Sequence, residues 1–451
     1  MTTELDRPGA PIAAAGDEEA PLLRSIRYTG PKFWWMSAVL VAIWAFGMYA
    51  WSTQLARGMQ ETGLNVPVYW GLYITDFVFF IGISHAGTLI SAILRLCHAE
   101  WRRPITRAAE IITVLVLFFG AGCVILDLGR PDRVLNVILH PNFTSPLVWD
   151  VCSITVYLTG STIYLFLPLI PDIAILRDMG GGRRWFYRIF ALGWTGTERQ
   201  KHLLERAIGI MAVVVIPIAV SVHTVVSWVF AMTVQPMWHS TIFGPYFVVG
   251  AIFSGIAAIL IAMAVVRKAY GLEAYLKPIH FNNLGVLLLV FSALWAYFTL
   301  AEYLTTYYGS DPSHMTVFSV KWSGKFAVLF WGMVCACLVV PMAILTRRKT
   351  RATVWGCVVA SISVEIGMWL ERYLIVVPSL SNPRLAREGV SYMPTWVEWS
   401  LLLAFVSFFI FLYGVFTKFF PIISIWEIKE GRKHALAEVA ERVSETLPDP
   451  I

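Results

Sequence analysis

The sequence predicts an all-α polytopic membrane protein with ten transmembrane helices, built as two parallel four-helix units (helices 2–5 and 6–9) flanked by helices 1 and 10. Three observations predict this. The 451 residues are 57% hydrophobic and 14% charged, with a mean hydropathy of +0.67, which is too apolar for a surface solvated on all sides. Ten runs, near 33–54, 68–94, 108–128, 146–170, 206–232, 242–266, 282–306, 325–346, 353–377 and 397–417, are long enough to cross a bilayer, which takes about 20 helical residues. They are continuous rather than alternating, so they are helices and not barrel strands. Third, one register repeats: at an offset of 173 residues, Gly71, Tyr73, Phe80, Gly82, Trp149 and Pro168 match Gly244, Tyr246, Phe253, Gly255, Trp322 and Pro341. A gapless match over that length, with both copies starting on the same side, reads as a parallel duplication.

Orientation follows from the basic residues. Loops on the side of the termini hold 27 of the 35 Lys and Arg, and the opposite loops hold seven. Basic loops stay in the cytoplasm, so both termini are expected there, with the even loops. This asymmetry accounts for the net charge of +6 without a nucleic-acid partner. The first 22 residues lack the basic-then-apolar pattern of a cleavable signal peptide.

In order, residues 1–30 read as a disordered cytoplasmic tail and 31–67 as flanking helix 1 with its outer loop. Helix 1 opens on an interfacial anchor of Phe33, Trp34 and Trp35. Residues 68–232 form the first four-helix unit, 233–377 the second, 378–420 an outer loop and helix 10, and 421–451 a cytoplasmic amphipathic tail. Within that tail, 424–445 reads as a surface helix. The longest internal loop, 171–205, carries Arg183 and Arg184 beside Trp185, Phe186 and Tyr187, the pattern of a lipid-headgroup anchor or of a docking site for another subunit.

The chemistry is expected where ionisable groups interrupt the apolar runs, because each costs roughly 2.5–3.5 kcal/mol at the centre of a membrane helix. Helix 2 carries Asp76 toward its outer end and His85 near the midplane. Asp150 starts helix 4, His140 lies in the preceding outer loop, and Arg372 lies within helix 9. The second unit has Val249, Ala258 and Ser323 where the first has Asp76, His85 and Asp150, so the site belongs in the first unit. Carboxylates and imidazole beside apolar walls suit a lipophilic redox carrier, since oxidising a quinol removes two protons with two electrons. Asp150, His140, Asp76 and His85 are the candidate catalytic residues; with Arg372 they are also the candidate quinone ligands. Asp76 and His85 are about 180° apart on a regular helix, so they share a pocket only if the helix is distorted. Otherwise His85 joins a proton route with Glu110, His223 and Glu365. Asp127, Glu302 and Glu398 read most simply as helix ends reaching headgroups.

Cofactor sites are scarce. The six cysteines form no CxxC pair, which argues against an iron–sulfur cluster or a zinc site. Only His85 and His223 are deep enough to offer a haem two axial ligands. Without a haem, the chain needs a redox partner to carry electrons onward, and no activity is expected of it alone.

The helix 2 run GLYITDFVFFIGISHAG (71–87), the segment LDLGRPDRVLNVILHPNFTSPLVWD (126–150), the paired units and the two flanking helices resemble the NrfD/PsrC family of membrane subunits, and within it the ActC branch of bacterial alternative complex III. The resemblance implies a bacterial inner-membrane protein that binds menaquinol or ubiquinol near the periplasmic face, at Asp76, His140 and Asp150 with His85 and Arg372 as further candidates. It also implies a periplasmic iron–sulfur subunit, a multihaem cytochrome c subunit and a second membrane subunit of the same family as partners. Proton translocation is proposed for that family. Three other readings stay open on the residues: the quinone-side anchor of a molybdopterin or polysulfide-type reductase, a secondary transporter, and a purely structural anchor.

Overall fold

The computed structural model describes residues 20–85, 87–180, 182–384 and 391–432. Ten of its helices are long and apolar enough to cross a membrane. They are α1 (Pro31–Arg57), α2 (Leu72–Leu96), α3 (Thr106–Asp127), α4 (Pro146–Asp178), α5 (Glu198–Ala231), α6 (Phe243–Tyr270), α7 (Pro278–Gly309), α8 (Ala327–Leu345), α9 (Val354–Ser381) and α10 (Trp396–Phe419). All described secondary structure is helical. An even number of crossings puts the start of α1 and the end of α10 on one face, called here the terminal face.

Burial ranks the helices. In the most apolar window, 76% of α2 is buried against 17% of α1, so α2 is an inner element and α1 a peripheral one. Helix α2 packs on α3, α5, α6 and α9, while α1 lies along α10. Trp44 stacks on Phe408 at 4.9 Å between ring centroids, and Gly47 sits against Ala404 with no room for a Cβ. Close approach of this kind is how small residues hold membrane helices together, where lipid leaves little hydrophobic drive.

Helix α2 is interrupted at midspan. Its outer half ends at Ile83 and its inner half begins at Thr88, so it is not the regular helix the sequence suggests. Backbone groups freed inside a bilayer must find partners, and neighbouring side chains supply them. Thr113 Oγ1 donates to the Ser84 carbonyl at 2.6 Å and accepts from the Gly87 N–H at 3.0 Å. The Tyr157 hydroxyl also donates to Ser84 O, at 3.0 Å.

Helix α4 runs to Asp178, eight residues beyond the predicted end, through Pro168 and Pro171. A buried cation holds this stretch: Arg107 Nη2 donates to Pro168 O at 2.9 Å, and Nη1 pairs with Asp172 Oδ2 at 2.5 Å. The predicted spans leave both charges in loops.

Both tails differ from expectation where they are described. Ala20–Arg27 is helical, with Leu22 and Leu23 buried, rather than part of a disordered tail; residues 1–19 lie outside the described residues. Residues 425–432 are helical, but with Ile422, Ile423, Ile425 and Glu427 all buried the segment is docked into the terminal face instead of lying on it. The remainder of the predicted amphipathic helix, with Ala435, Leu436, Val439 and Val443, lies outside the described residues. In the long internal loop Trp185 points outward, while Arg183 Nη1 and the Tyr187 hydroxyl donate to the carbonyls of Lys418 and Phe419 at 2.7 and 3.0 Å. Those two side chains clamp the end of α10.

Candidate functional site

Asp76 lies on the outer half of α2 and is 2% exposed. It does not reach solvent; Trp369 of α9 donates its indole N–H to Asp76 Oδ1 at 2.9 Å. Tyr73, one turn earlier, donates to Gln54 Oε1 at 2.7 Å. Asp127 and Glu398 lie within electrostatic reach of the Tyr73 hydroxyl together with Asp76, so three carboxylates converge at this end of α2, α3 and α10.

Glu398 and Glu302 correct the headgroup reading. Glu398 is fully buried, accepts from the Gly63 and Thr395 N–H groups at 2.8 and 2.9 Å, and receives the Tyr392 hydroxyl. It is the N3 residue of a capping box that starts α10, and it ties three outer segments together. Glu302 is buried as well, with Oε2 lacking a hydrogen-bond partner.

Asp150 is buried at the start of α4, its Oδ1 without a partner. His140 is exposed, just past the short helix Asn136–Leu139. Trp149 Nε1 donates to Phe143 O at 2.7 Å, folding the His140 loop onto the helix that carries Asp150.

The interruption of α2 does not bring Asp76 and His85 together. His85 is fully buried and faces α5 and α4: its ring centroid lies 3.7 Å from that of His223 and 5.7 Å from that of Tyr157. All four imidazole nitrogens are buried without a well-formed hydrogen bond. A haem iron between two axial histidines needs two metal–nitrogen bonds of about 2 Å, so rings in direct contact leave it no space. Among the described residues, no group of three His, Cys, Asp or Glu is placed to hold a metal ion.

Arg372, 1% exposed, pairs with its neighbour Glu371 at 2.6 Å and sits 5.1 Å from the centre of the Phe247 ring, within reach of a cation–π contact. Its guanidinium occupies a slot that glycine opens: a Cβ on Gly250 would meet Nη2 at 2.8 Å. Glu371 also accepts from Trp295 Nε1 at 2.5 Å. The sequence signal for this pair is weak, since adjacent opposite charges in an apolar helix do not reveal which neighbours receive them.

Toward the terminal face, Glu110 accepts from Ser91 Oγ at 2.8 Å, and Ser91 lies 3.4 Å from the Tyr164 hydroxyl. Both carboxylate oxygens of Glu365 are buried and unpartnered. Of the three proton-route candidates, His223 meets His85 directly, while Glu110 and Glu365 have separate surroundings.

Ten apolar helices enclosing buried carboxylates, paired imidazoles and an arginine define a class: a multi-pass membrane protein with ionisable groups buried in its interior. Residues 60–383 match the family described as polysulphide reductase, NrfD, and the chain belongs to that family. Its relatives include a Halobacterium salinarum protein named as a membrane subunit of a dimethyl sulfoxide reductase, 29% identical over 62% of this chain and 61% of that protein. A selenate reductase subunit of Mesobacillus selenatarsenatis is 24% identical over 85% of this chain and 93% of its own length. The Hdr-like menaquinol oxidoreductase integral membrane subunit of Archaeoglobus fulgidus is 22% identical over 87% and 94%. The chain thus spans less than two thirds of the first relative and over nine tenths of the other two.

Proposed function

We propose that this chain is the quinol-oxidising integral membrane subunit of a quinol:acceptor oxidoreductase of the alternative complex III type. In this reading it binds menaquinol or ubiquinol near the periplasmic face of a bacterial inner membrane, with the terminal face cytoplasmic. Electrons pass to a partner iron–sulfur subunit and on to a multihaem cytochrome c, beside a second membrane subunit of the same family. The observation that carries the reading is Asp76, a buried carboxyl held by Trp369 in a chain whose relatives include a menaquinol oxidoreductase subunit. Asp150, buried with an open oxygen, is the proton acceptor next to the carrier, and His140 supplies a hydrogen bond from the loop above. The apolar side chains of Leu135, Ile138, Leu139 and Phe143, all exposed in that loop, support a partner seated over it.

Coupling to proton translocation completes the proposal. The His85–His223 contact and the Ser91–Glu110 pair supply groups that bind and release protons between midspan and the terminal face. A second reading has its own support: two relatives are named as subunits of a dimethyl sulfoxide reductase and a selenate reductase, which favours a quinone-reactive anchor in a terminal reductase, using the same residues.

The test is quinol:cytochrome c reductase turnover of the purified complex, with Asp150→Asn compared with wild type at matched assembly. Loss of turnover with all subunits retained supports the quinol site. Unchanged turnover removes Asp150 from it, and absence of cytochrome c reduction in the wild type, with activity toward an oxyanion or sulfoxide acceptor, supports the anchor reading.

A further inference from the structure

The sequence places the chemistry in the first half of the chain, yet a cavity in the second half joins a buried carboxylate to the face opposite the termini. About 380 Å³ in volume, it is lined by His239, Ser240, Thr241, Thr305, His314 and Glu302, among others. Adjoining it is a smaller, partly open chamber of about 30 Å³, lined by Glu302, Lys321, Tyr246, Tyr303 and Glu371 together with apolar side chains. Glu302 and Met237 belong to both, so they stand where the vestibule meets the smaller chamber.

The lining decides what the vestibule takes. Carrier pockets are mostly apolar and aromatic; this one has no aromatic wall among the described residues but sets hydroxyl, imidazole and carboxylate groups among Met237, Ile242 and Ala301, and those polar groups can hold water. The chamber has the volume of about one water molecule, and a water there needs two to four polar partners. Glu302 Oε2, the Lys321 ammonium, the Tyr246 hydroxyl and Glu371 are on its wall. Lys321 is 4% exposed and has no carboxylate within 4 Å among the described ion pairs. Burial pushes it down to about 8.

We propose that Glu302, with Lys321 beneath it, is a proton-exchange site that connects the aqueous phase at this face to the Glu371–Arg372 pair through one bound water. A proton from the vestibule binds Glu302, passes by way of the water to Glu371, and returns by the same route. Glu371 is in turn paired with Arg372 at 2.6 Å, so the site ends on a buried ion pair. The groups facing Glu302 are Lys321 from the helix Pro312–Trp322, Glu371 from α9 with Arg372 paired behind it, Tyr246 from α6, Tyr303 on its own helix, and His239 and His314 above, with Arg384 Nη2 3.5 Å from His239 Nε2. This deepens the proton-coupled function proposed above, on which it rests.

The test needs neither quinol nor turnover, so it stands apart from the redox reading. Infrared difference spectra of the reconstituted wild-type complex, recorded as the pH of the medium is stepped, are expected to contain a carboxylic-acid carbonyl band that shifts on exchange into D2O. Glu302→Gln abolishes that band and Glu302→Asp retains one, which covers the case in which the glutamine variant assembles poorly. Lys321→Met removes a neighbouring cation and raises the band's midpoint by about one to three pH units. Three results overturn the proposal: no band assignable to residue 302, a band that fails to exchange with solvent, or a midpoint indifferent to Lys321→Met.

Discussion

Trp369 Nε1 lies 2.9 Å from Asp76 Oδ1, so one indole of α9 fixes the carboxyl that the outer half of α2 carries into the protein. Trp369→Phe keeps an aromatic ring against Tyr373, whose centroid lies 5.9 Å away, and removes only the donor. A typical buried hydrogen bond contributes about 0.5–1.5 kcal/mol. If the carrier meets Asp76, quinol oxidation should fall roughly 2- to 13-fold, with the complex still assembled. Turnover measured beside the melting temperature decides: a lowered melting temperature with normal turnover would make the contact purely structural.

Arg107 and Asp172 form a salt bridge that is at most 2% exposed on either side. Removing one member strands the other in a low-dielectric interior, at a cost of about 3–5 kcal/mol. Asp172→Ala also withdraws the acceptor of the Ile425 and Trp426 N–H groups, and should lower the melting temperature in detergent sharply. The double variant Arg107→Met/Asp172→Leu, which leaves no orphaned charge, is expected to melt higher than either single alanine variant. Equal melting of all three would show that the pair contributes little.

Glu427 closes the same region from the C-terminal side. Burial alone would raise its carboxyl, but Arg95, Arg102, Arg107 and Arg103 hold it below the ordinary value of 4.5. A depressed carboxylate stabilises the folded state fully above its unfolded pKa, and that contribution is lost as pH falls through the folded value. The segment 425–432 should therefore stay protected from amide exchange at pH 6–7 and lose protection progressively as pH falls below about 4.5. Glu427→Gln should leave it open at both. Hydrogen exchange of peptides covering 421–432 reads the result directly, and protection unaffected by either change would remove the arginine cluster as its cause.

Much of the fold was legible in the sequence because bilayer thickness sets a length that composition must meet. All ten spans formed close to their predicted positions. Their ends moved where charge found a partner, as in α4, where Arg107 and Asp172 carried the helix past Pro171. Legibility of the site was uneven. Asp76, His85 and Arg372 stood out as charges in apolar runs and are buried, whereas Glu398 and Glu302 read as surface ends, because sequence depth alone cannot distinguish a group facing lipid headgroups from one facing protein.

By itself, then, the sequence determined the number of crossings, the helical class and the small set of ionisable groups that a membrane interior tolerates only for a reason. The tertiary structure decided which of those groups meet. Periodicity places a side chain on a face of its own helix, but the neighbour it receives depends on how helices distant in the chain pack. That packing put His85 against His223, joined Asp76 to Trp369, and set Glu302 between a vestibule and a chamber, all between residues more than a hundred positions apart or from separate segments of the chain.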